Sequence, residues 1–260
     1  MLKGIIVSLV IVGIIVTNYL LWKRKQKKLA AYKLPAGTTF LLHSYVPYYR
    51  ALSAEDKAIF EERMRDFLAR TKVTGTGNVV VHDVDLVFIA ASAVIPLFGY
   101  LNWRYNNLDE VLLYEGTFSK RYELDGPDRN VLGMVGDGVM NREMILSQPA
   151  LRAGYLYPDN AHNTAIHEFA HLIDKADGAT DGVPQYLLDK QSTKEWKSYM
   201  QAYIRAIKEG LTDINPYGAT SEAEFFAVVS EYYFKQPDHF KSQYPELYNM
   251  LHKMYQPKAA

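Results

Sequence analysis

A long uncharged run lies near the start of the chain. Residues 4–22 read GIIVSLVIVGIIVTNYLLW and contain no charged side chain. A helix of this length spans roughly 30 Å, which is the thickness of the hydrocarbon core of a bilayer. Tyr19 and Trp22, near the end of the run, are residue types that favour the membrane interface. The pattern predicts one N-terminal transmembrane helix.

Basic residues are concentrated after this run. The segment 23–28 reads KRKQKK, whereas only Lys3 and the terminal amine precede the run. The positive-inside rule therefore predicts a single-pass anchor in the inner (cytoplasmic) membrane, with the rest of the chain on the cytoplasmic side. A cleaved signal peptide is the alternative, but its basic residues precede the apolar core and a small-residue cleavage site follows it. The uncleaved anchor is favoured.

The remaining hydrophobic pattern is mainly helical. A helix is expected from Ser53 to about Arg70, a buried helix from His82 to Phe98, and helices from Asp159 to the C-terminus. Short β-like runs are Asp109–Tyr114 and Glu143–Leu146, and the glycine-rich stretch Gly133–Gly138 is expected to be a turn. The sequence thus predicts an anchor at residues 1–28 and a predominantly helical α+β domain with a small sheet at residues 29–260.

Composition restricts the chemistry. Lys plus Arg and Asp plus Glu are both 29, so the formal net charge is zero, and nucleic acid is not expected as a direct partner. Hydrophobic residues make up 48%, which is typical of a packed globular chain. The chain has no cysteine, which excludes disulfides, thiol nucleophiles and cysteine-bound zinc. Any metal must therefore be bound by His, Asp or Glu.

Residues 167–171 form an HExxH motif, with His167, Glu168 and His171 at its defining positions. On a helix, side chains four residues apart project from one face, so both imidazoles can bind one zinc ion. Glu168 is about 100° round the helix from His167, where it can act as a base toward metal-activated water. Asp174 follows on the same face; it could orient an imidazole or be a solvated charge at the helix end.

Zinc needs a third protein ligand, and a second segment supplies two candidates. Residues 221–234, SEAEFFAVVSEYYF, predict a nearly apolar helix that carries Glu224 and Glu231 two turns apart. Buried carboxylates are rare unless they are paired or bind a metal. Glu224 could instead complete a capping box with Ser221, and Glu231 could be a structural salt-bridge partner. The positions of the two glutamates in the sequence do not by themselves decide which one is the third ligand.

The segments HEFAHLID and PYGATSEAEFFAVVSEYYF together resemble the Mlc titration factor A family of bacterial zinc peptidases, whose catalytic site is similar to that of anthrax lethal factor. The resemblance implies a zincin-like metallopeptidase domain with one Zn²⁺ per chain. It assigns the metal ligands as His167, His171 and Glu224, the general base as Glu168, and a further catalytic residue as Tyr217. Glu231 then has a supporting or structural role.

Two functions follow as expectations. The first is a zinc-dependent peptidase that hydrolyses peptide or protein substrates through metal-activated water, with aminopeptidase activity and a regulatory role implied by the family. The second is a zinc-containing regulatory protein that sequesters a transcription repressor. The base Glu168 favours the enzyme, since a purely structural site needs none. The strand at Glu143–Leu146 is the expected rim of the cleft. The other histidines are expected to be structural, namely His43, His82, His162, His239 and His252.

Overall fold

The computed structural model describes residues 12–24, 31–100, 103–119, 130–136, 138–157 and 162–256. Within these ranges the chain is mostly helical, with one small mixed sheet. The helices after residue 31 are α1 (Thr38–Tyr45), α2 (Pro47–Ala51), α3 (Ala54–Arg70), α4 (Asp83–Val94), α5 (Gln148–Leu156), α6 (Thr164–Asp174), α7 (Lys190–Lys208), α8 (Glu222–Lys235), α9 (Pro237–Gln243) and α10 (Pro245–Tyr255). The strands are β1 (Lys72–Gly75), β2 (Glu110–Tyr114), β3 (Gly133–Val135) and β4 (Glu143–Ser147).

Local signals explain where several of these helices begin. Ser53 caps α3, because its side chain accepts a hydrogen bond from the Asp56 N–H at 3.1 Å. Asn163 caps α6 in the same way through the Ile166 N–H at 3.0 Å. The described helix therefore begins at Thr164, later than the start at Asp159 that the sequence predicts. The predicted helix from Ser53, the buried helix α4 and the strands β2 and β4 are confirmed.

The strand order of the sheet is β1-β2-β4-β3. The pairs β1–β2 and β2–β4 are parallel, and β3 runs antiparallel to β4. The predicted turn at Gly133–Gly138 is wrong in its first half, because Gly133–Val135 forms β3. The expected rim strand is also wrong, since β4 lies inside the sheet, whereas β3 is one of the two edge strands among those described. A three-residue strand depends on its partner, so its own pattern carries little signal.

Helix α6 is held between two hydrophobic clusters. Phe169 and Leu172 belong to a cluster with α3, α4 and the sheet. Ala170 and Ile173 belong to a second cluster that contains Trp196 and much of α8. Burial of each large apolar side chain contributes about 1.5–3 kcal/mol. Packing on two sides therefore fixes the orientation of α6. Its remaining face lies toward α8 and β3.

The N-terminal prediction is only partly covered by the described residues. Residues 12–24 are helical and exposed, whereas residues 4–11 of the expected span lie outside the described ranges. Within the described ranges, no helix combines the length and the apolar character that crossing a bilayer requires.

Candidate metal centre

The two histidines of the HExxH motif meet on the open face of α6. Their Nε2 atoms are 3.2 Å apart, and both side chains are 12% exposed. The spacing of four residues produces this contact, because it is close to one helical turn. The apolar side chains Phe169, Leu172 and Ile173 are buried on the other faces of the helix, as expected. The imidazoles are thus directed into a cleft by the packing behind them.

Helix α8 supplies the third candidate ligand. The Ser221 side chain accepts a hydrogen bond from the Glu224 N–H at 3.1 Å and so caps the helix. The Glu224 side chain does not complete a capping box; its Oε2 lies 3.0 Å from His167 Nε2 and 3.3 Å from His171 Nε2. The structure therefore brings together His167, His171 and Glu224, with Glu231 outside this group.

These three ligand atoms fit a zinc ion. Their separations are 3.0, 3.2 and 3.3 Å. Zinc bonds of about 2.0–2.1 Å in tetrahedral geometry place neighbouring ligand atoms about 3.3 Å apart. Two imidazole nitrogens and one carboxylate oxygen form a typical donor set for a catalytic zinc site, which keeps its fourth position open. The donors could hold Zn²⁺ without rearrangement of the backbone.

Glu168 lies beside this group and is 4% exposed. Its side chain packs under β3, so that a Cβ atom at Gly133 would lie 2.7 Å from Glu168 Oε1. Burial raises the pKa of the Glu168 carboxyl above its usual value, although the neighbouring His167 and His171 oppose the shift. A carboxylate with a raised pKa is suited to accept and return a proton near neutral pH.

Glu231 faces the far side of the same imidazole. Its Oε2 lies 3.6 Å from His167 Nδ1, and its Oε1 accepts a hydrogen bond from the Asn163 N–H. Burial alone would raise the pKa of the Glu231 carboxyl, but His162 and His167 outweigh it and lower the pKa to about 2. A carboxylate at Nδ1 fixes the orientation of a metal-binding histidine. Glu231 therefore contacts both the capping segment of α6 and a candidate ligand.

The charge of His167 depends on these two carboxylates. Burial lowers the pKa of its imidazole, but the contacts with Glu224 and Glu231 outweigh burial and raise the pKa to about 10. The two carboxylates thus favour a proton on this imidazole and make the position favourable for positive charge. A divalent cation would take the place of that proton, because metal binding requires a neutral imidazole.

Tyr217 lies on a 3-10 turn, Pro216–Ala219, next to the ligands. The Asn215 side chain accepts a hydrogen bond from the Tyr217 N–H at 3.0 Å and shapes the turn. The phenol donates a hydrogen bond to Glu224 Oε1 at 3.2 Å, and the residue is 51% exposed. Partial burial and the Glu224 charge raise the pKa of Tyr217 to about 12. The phenol therefore remains a hydrogen-bond donor at neutral pH.

Asp174 is completely buried, so the solvated alternative is wrong. Its Oδ2 accepts a hydrogen bond from the Gly182 N–H at 2.9 Å. Its Oδ1 and His171 Nδ1 are both buried without a hydrogen-bond partner in the described part of the chain. Burial raises the pKa of the Asp174 carboxyl to about 6. Asp174 thus anchors the loop after α6 and makes no hydrogen bond to an imidazole.

A cleft of about 730 Å³ runs over these residues. Strand β3 forms one wall, α6 the floor, and α8 with the Tyr217 turn the other wall. At one end, Lys175 Nζ donates a hydrogen bond to the Gly136 carbonyl at 2.9 Å. His162 lies at the other end of α6, among the residues that line the cleft.

Sequence reasoning missed His162 and Gly133. His162 was expected to be structural, yet it lines the cleft. Its position five residues before His167 did not indicate a place in the cleft, because Glu231, which lies beside it in space, is far from it along the chain. The requirement for glycine at position 133 likewise comes from Glu168 on another element.

Two histidines one turn apart, a distal glutamate and a buried neighbouring carboxylate are the combination expected at the site of a metallopeptidase. Comparison with known proteins also indicates a metallopeptidase. Residues 20–256 match the model of the glucose-regulated metallo-peptidase M90 family. The chain belongs to this family, that of Mlc titration factor A.

Individual relatives cover most of the chain. An uncharacterised protein of Synechocystis sp. is 30% identical over 272 residues, which cover 98% of this chain and 97% of the relative. Mlc titration factor A of Klebsiella pneumoniae is 33% identical over 230 residues, or 81% of this chain and 83% of the relative. Mlc titration factor A of Pectobacterium atrosepticum is 24% identical over 226 residues, or 81% and 82%.

Proposed function

We propose that this chain is a zinc-dependent peptidase with a zincin-like site, in which His167, His171 and Glu224 bind the metal. The observation that carries the proposal is the mutual separation of the three ligand atoms, 3.0–3.3 Å, beside a buried carboxylate. Membership of a metallopeptidase family supports hydrolysis of peptide bonds as the reaction. Peptides or proteins are the substrates.

The site residues divide the chemistry between them. Bound Zn²⁺ would polarise the scissile carbonyl and lower the pKa of water from ~15.7 toward ~7. Glu168 accepts the proton of the attacking water and delivers it to the leaving amine, which its raised pKa allows. Glu231 holds the His167 ring in place through Nδ1, at 3.6 Å. The buried position of Glu168 under β3 keeps its carboxylate beside the ligands.

Tyr217 supplies a hydrogen bond to the developing oxyanion. Its phenol already lies at Glu224 Oε1, at the edge of the ligand group, and half of the residue is exposed to the cleft. A donor placed where negative charge develops stabilises the transition state by more than it stabilises the substrate. Loss of one such donor typically lowers the rate by ~10²–10³.

The outer edge of β3 is the place where an extended substrate would bind. Two main-chain hydrogen bonds join this strand to β4, from Gly136 N–H to Glu143 O and from Ser147 N–H to Leu132 O. The main-chain N–H and C=O groups of the even-numbered residues from 132 to 136 therefore point toward β4. The main-chain groups of Gly133 and Val135 therefore face the cleft. A peptide can add to such an edge as a further strand. This brings its backbone alongside Glu168, which touches Gly133.

A second candidate function rests on the name of the relatives. Mlc titration factor A denotes proteins that titrate Mlc, so a regulatory role in which this chain sequesters a transcription repressor is the alternative. The two functions make different demands on Glu168. Binding alone needs no base, so Glu168→Gln would leave sequestration intact and abolish hydrolysis.

For the N-terminus, the proposal is a single-pass anchor in the inner membrane with the site on the cytoplasmic side. The uncharged run at residues 4–22 and the basic segment at 23–28 support it. A reporter fused after Ala260 should behave as cytoplasmic, and the full chain should stay in the membrane pellet after a carbonate wash. Release of a fragment that begins near residue 30 would instead indicate a signal peptide.

The metal content of the purified full chain tests the proposal directly. Elemental analysis should find about one zinc per chain, and the protein should cleave members of a mixed peptide library. His167→Ala and His171→Ala should each lose the metal, whereas His43→Ala, on the exposed surface of α1, should retain it. Full zinc retention in both site variants would contradict the ligand assignment.

A further inference from the structure

The segment between α7 and α8 carries Tyr217 and is long for a connection between helices. It runs from residue 209 to residue 221, whereas such connections usually have about 2–8 residues. Half of Tyr217 is exposed, so packing around its own ring does not fix the phenol. A connection of this length has many conformations unless particular contacts hold it. Those contacts therefore determine where the phenol lies.

Asp213, four residues before Tyr217, is held by three side-chain donors. Its Oδ2 accepts hydrogen bonds from the Tyr232 phenol at 2.8 Å and from His239 Nε2 at 3.0 Å. Its Oδ1 accepts a hydrogen bond from the Tyr244 phenol. The oxygen of that phenol accepts one in return from the Asp213 N–H at 3.1 Å. Both the carboxylate and the main chain of Asp213 are thus fixed.

These hydrogen bonds are made to an ionised carboxylate. Burial alone would raise the pKa of Asp213, but the hydrogen bonds from Tyr244, Tyr232 and His239 outweigh burial and lower the pKa. Hydrogen bonds to an ionised acceptor are roughly twice as strong as those between neutral groups. Three of them at one carboxylate hold the segment firmly before it reaches Tyr217.

The chain that follows Asp213 packs against α8. Ile214 is buried in the same hydrophobic cluster as much of α8. Thr220 Oγ1 donates a hydrogen bond to the Tyr217 carbonyl at 2.7 Å. Gly218 lies directly on the helix, where an added Cβ would be 3.2 Å from Val228 Cβ. The main chain of Tyr217 is therefore held between Asp213 on one side and α8 on the other.

The residues that hold Asp213 share a rigid element with the third candidate ligand. Tyr232 lies on α8, as does Glu224, which accepts the hydrogen bond of the Tyr217 phenol. We propose that Asp213 is a positioning residue of the reaction: it fixes the segment to α8 and so holds the Tyr217 phenol where the oxyanion of the peptide substrate develops. Asp213 acts through Tyr217, and the inference rests on the proposed peptidase function.

A double-mutant cycle in the zinc-loaded full chain tests the inference. Asp213→Ala should lower kcat by ~10-fold, since a displacement of a catalytic group by about 1 Å costs up to ~10². KM and zinc content should stay nearly unchanged, because the three ligands lie on α6 and α8. In the Tyr217→Phe background, Asp213→Ala should lower kcat by less than about twofold, since no phenol is left to position.

A purely structural role of Asp213 predicts a different result. It would lower kcat by the same factor with and without the Tyr217 phenol, and that result would overturn the inference. If Asp213→Ala does not fold, Tyr244→Phe decides, because it removes one of the three donors and should lower kcat only while Tyr217 is present. Asp238→Ala, at an exposed carboxylate of α9, is the matched control and should leave kcat unchanged.

Amide hydrogen exchange tests the positioning without hydrolysis. The Gly218 N–H donates to the Asn215 carbonyl, and the Thr220 N–H donates to the Tyr217 carbonyl. Mass spectrometry of fragments covering residues 213–221 should show exchange at least about fivefold faster in Asp213→Ala and unaltered exchange in Asp238→Ala. Unchanged exchange in Asp213→Ala would overturn the inference. Failure of the unaltered protein to cleave any peptide would contradict the peptidase function alone, since exchange is measured without substrate.

Discussion

Gly133 lies against the side chain of Glu168, with no space for a Cβ atom between them. An added Cβ would lie 2.7 Å from Glu168 Oε1 and 2.7 Å from its Cγ. The edge strand and the proposed base are thus in direct contact. The wall of the cleft sets the position of the carboxylate, and the absence of a side chain at residue 133 is part of the site.

Gly133→Ala should therefore displace Glu168 and slow hydrolysis by ~10–10²-fold, as expected for a shift of a catalytic group by about 1 Å. Zinc content should not change, because the atoms nearest to the new methyl group belong to Glu168 and Thr164 and not to a proposed ligand. Steady-state kinetics and elemental analysis measure the two effects. Gly116→Ala is the matched control, since a Cβ there meets nothing within 4 Å. Unaltered kinetics in Gly133→Ala would show that Glu168 can move without loss of function.

The two glutamates of α8 should differ in their effect on zinc. Glu224→Gln replaces a ligand carboxylate by a weakly coordinating amide and should reduce zinc affinity by more than the ~10–100-fold that loss of a supporting contact typically costs. Glu231→Gln should fall within that smaller range, because Glu231 acts through His167 Nδ1. Competition with a zinc chelator measures both affinities. The reverse order would place the third ligand two turns further along the helix.

Tyr217→Phe should lower kcat by ~10²–10³-fold and leave zinc content unchanged. The phenol contacts Glu224 Oε1, whereas Oε2 is the oxygen near the imidazoles, so its removal does not disturb the ligand atom. KM should change little if the hydrogen bond forms only in the transition state. Tyr186→Phe, at another exposed tyrosine, serves as the control. Equal effects on kcat in both variants would contradict a role for Tyr217.

Asp174 should destabilise the metal-free protein at neutral pH. Burial raises its pKa in the folded state to about 6, above the ordinary value of 3.8, so the folded state binds the proton more tightly and stability falls as pH rises from about 4 to about 6. The shift corresponds to at most about 3 kcal/mol. Asp174→Asn keeps an oxygen for the Gly182 N–H and should raise the free energy of unfolding at pH 7, measured with urea and chelator. A lower free energy of unfolding would show that the carboxylate pairs with a neighbouring group, such as His171.

The sequence predicted the helices that carry the site because their signals are local. The HExxH spacing places His167 and His171 on one face, and the apolar stripe behind them determines which way that face points. The sequence pattern alone could not show whether Glu224 or Glu231 is the third ligand, since both side chains lie on one line of α8. The relative rotation of α6 and α8 makes the difference: Glu224 reaches the Nε2 side of His167 and Glu231 the Nδ1 side.

The remaining features depend on contacts between distant segments. Strand β3 exists because Leu146 and its neighbours on β4 pair with it, and a stretch with so many glycines has a weak β pattern of its own. His162 becomes a cleft residue only because Glu231 packs beside it. Periodicity and spacing within one segment do not contain such information.

Glu168→Gln tests the central claim most directly. The amide has nearly the same size as the carboxylate and should preserve the fold and about one zinc per chain, but it cannot accept a proton from water. Hydrolysis of the peptides that the unaltered full chain cleaves should therefore be almost abolished. Glu222→Gln, on the exposed first turn of α8, should retain activity. Undiminished hydrolysis by zinc-loaded Glu168→Gln would contradict the account of this site as a metallopeptidase centre with Glu168 as its base.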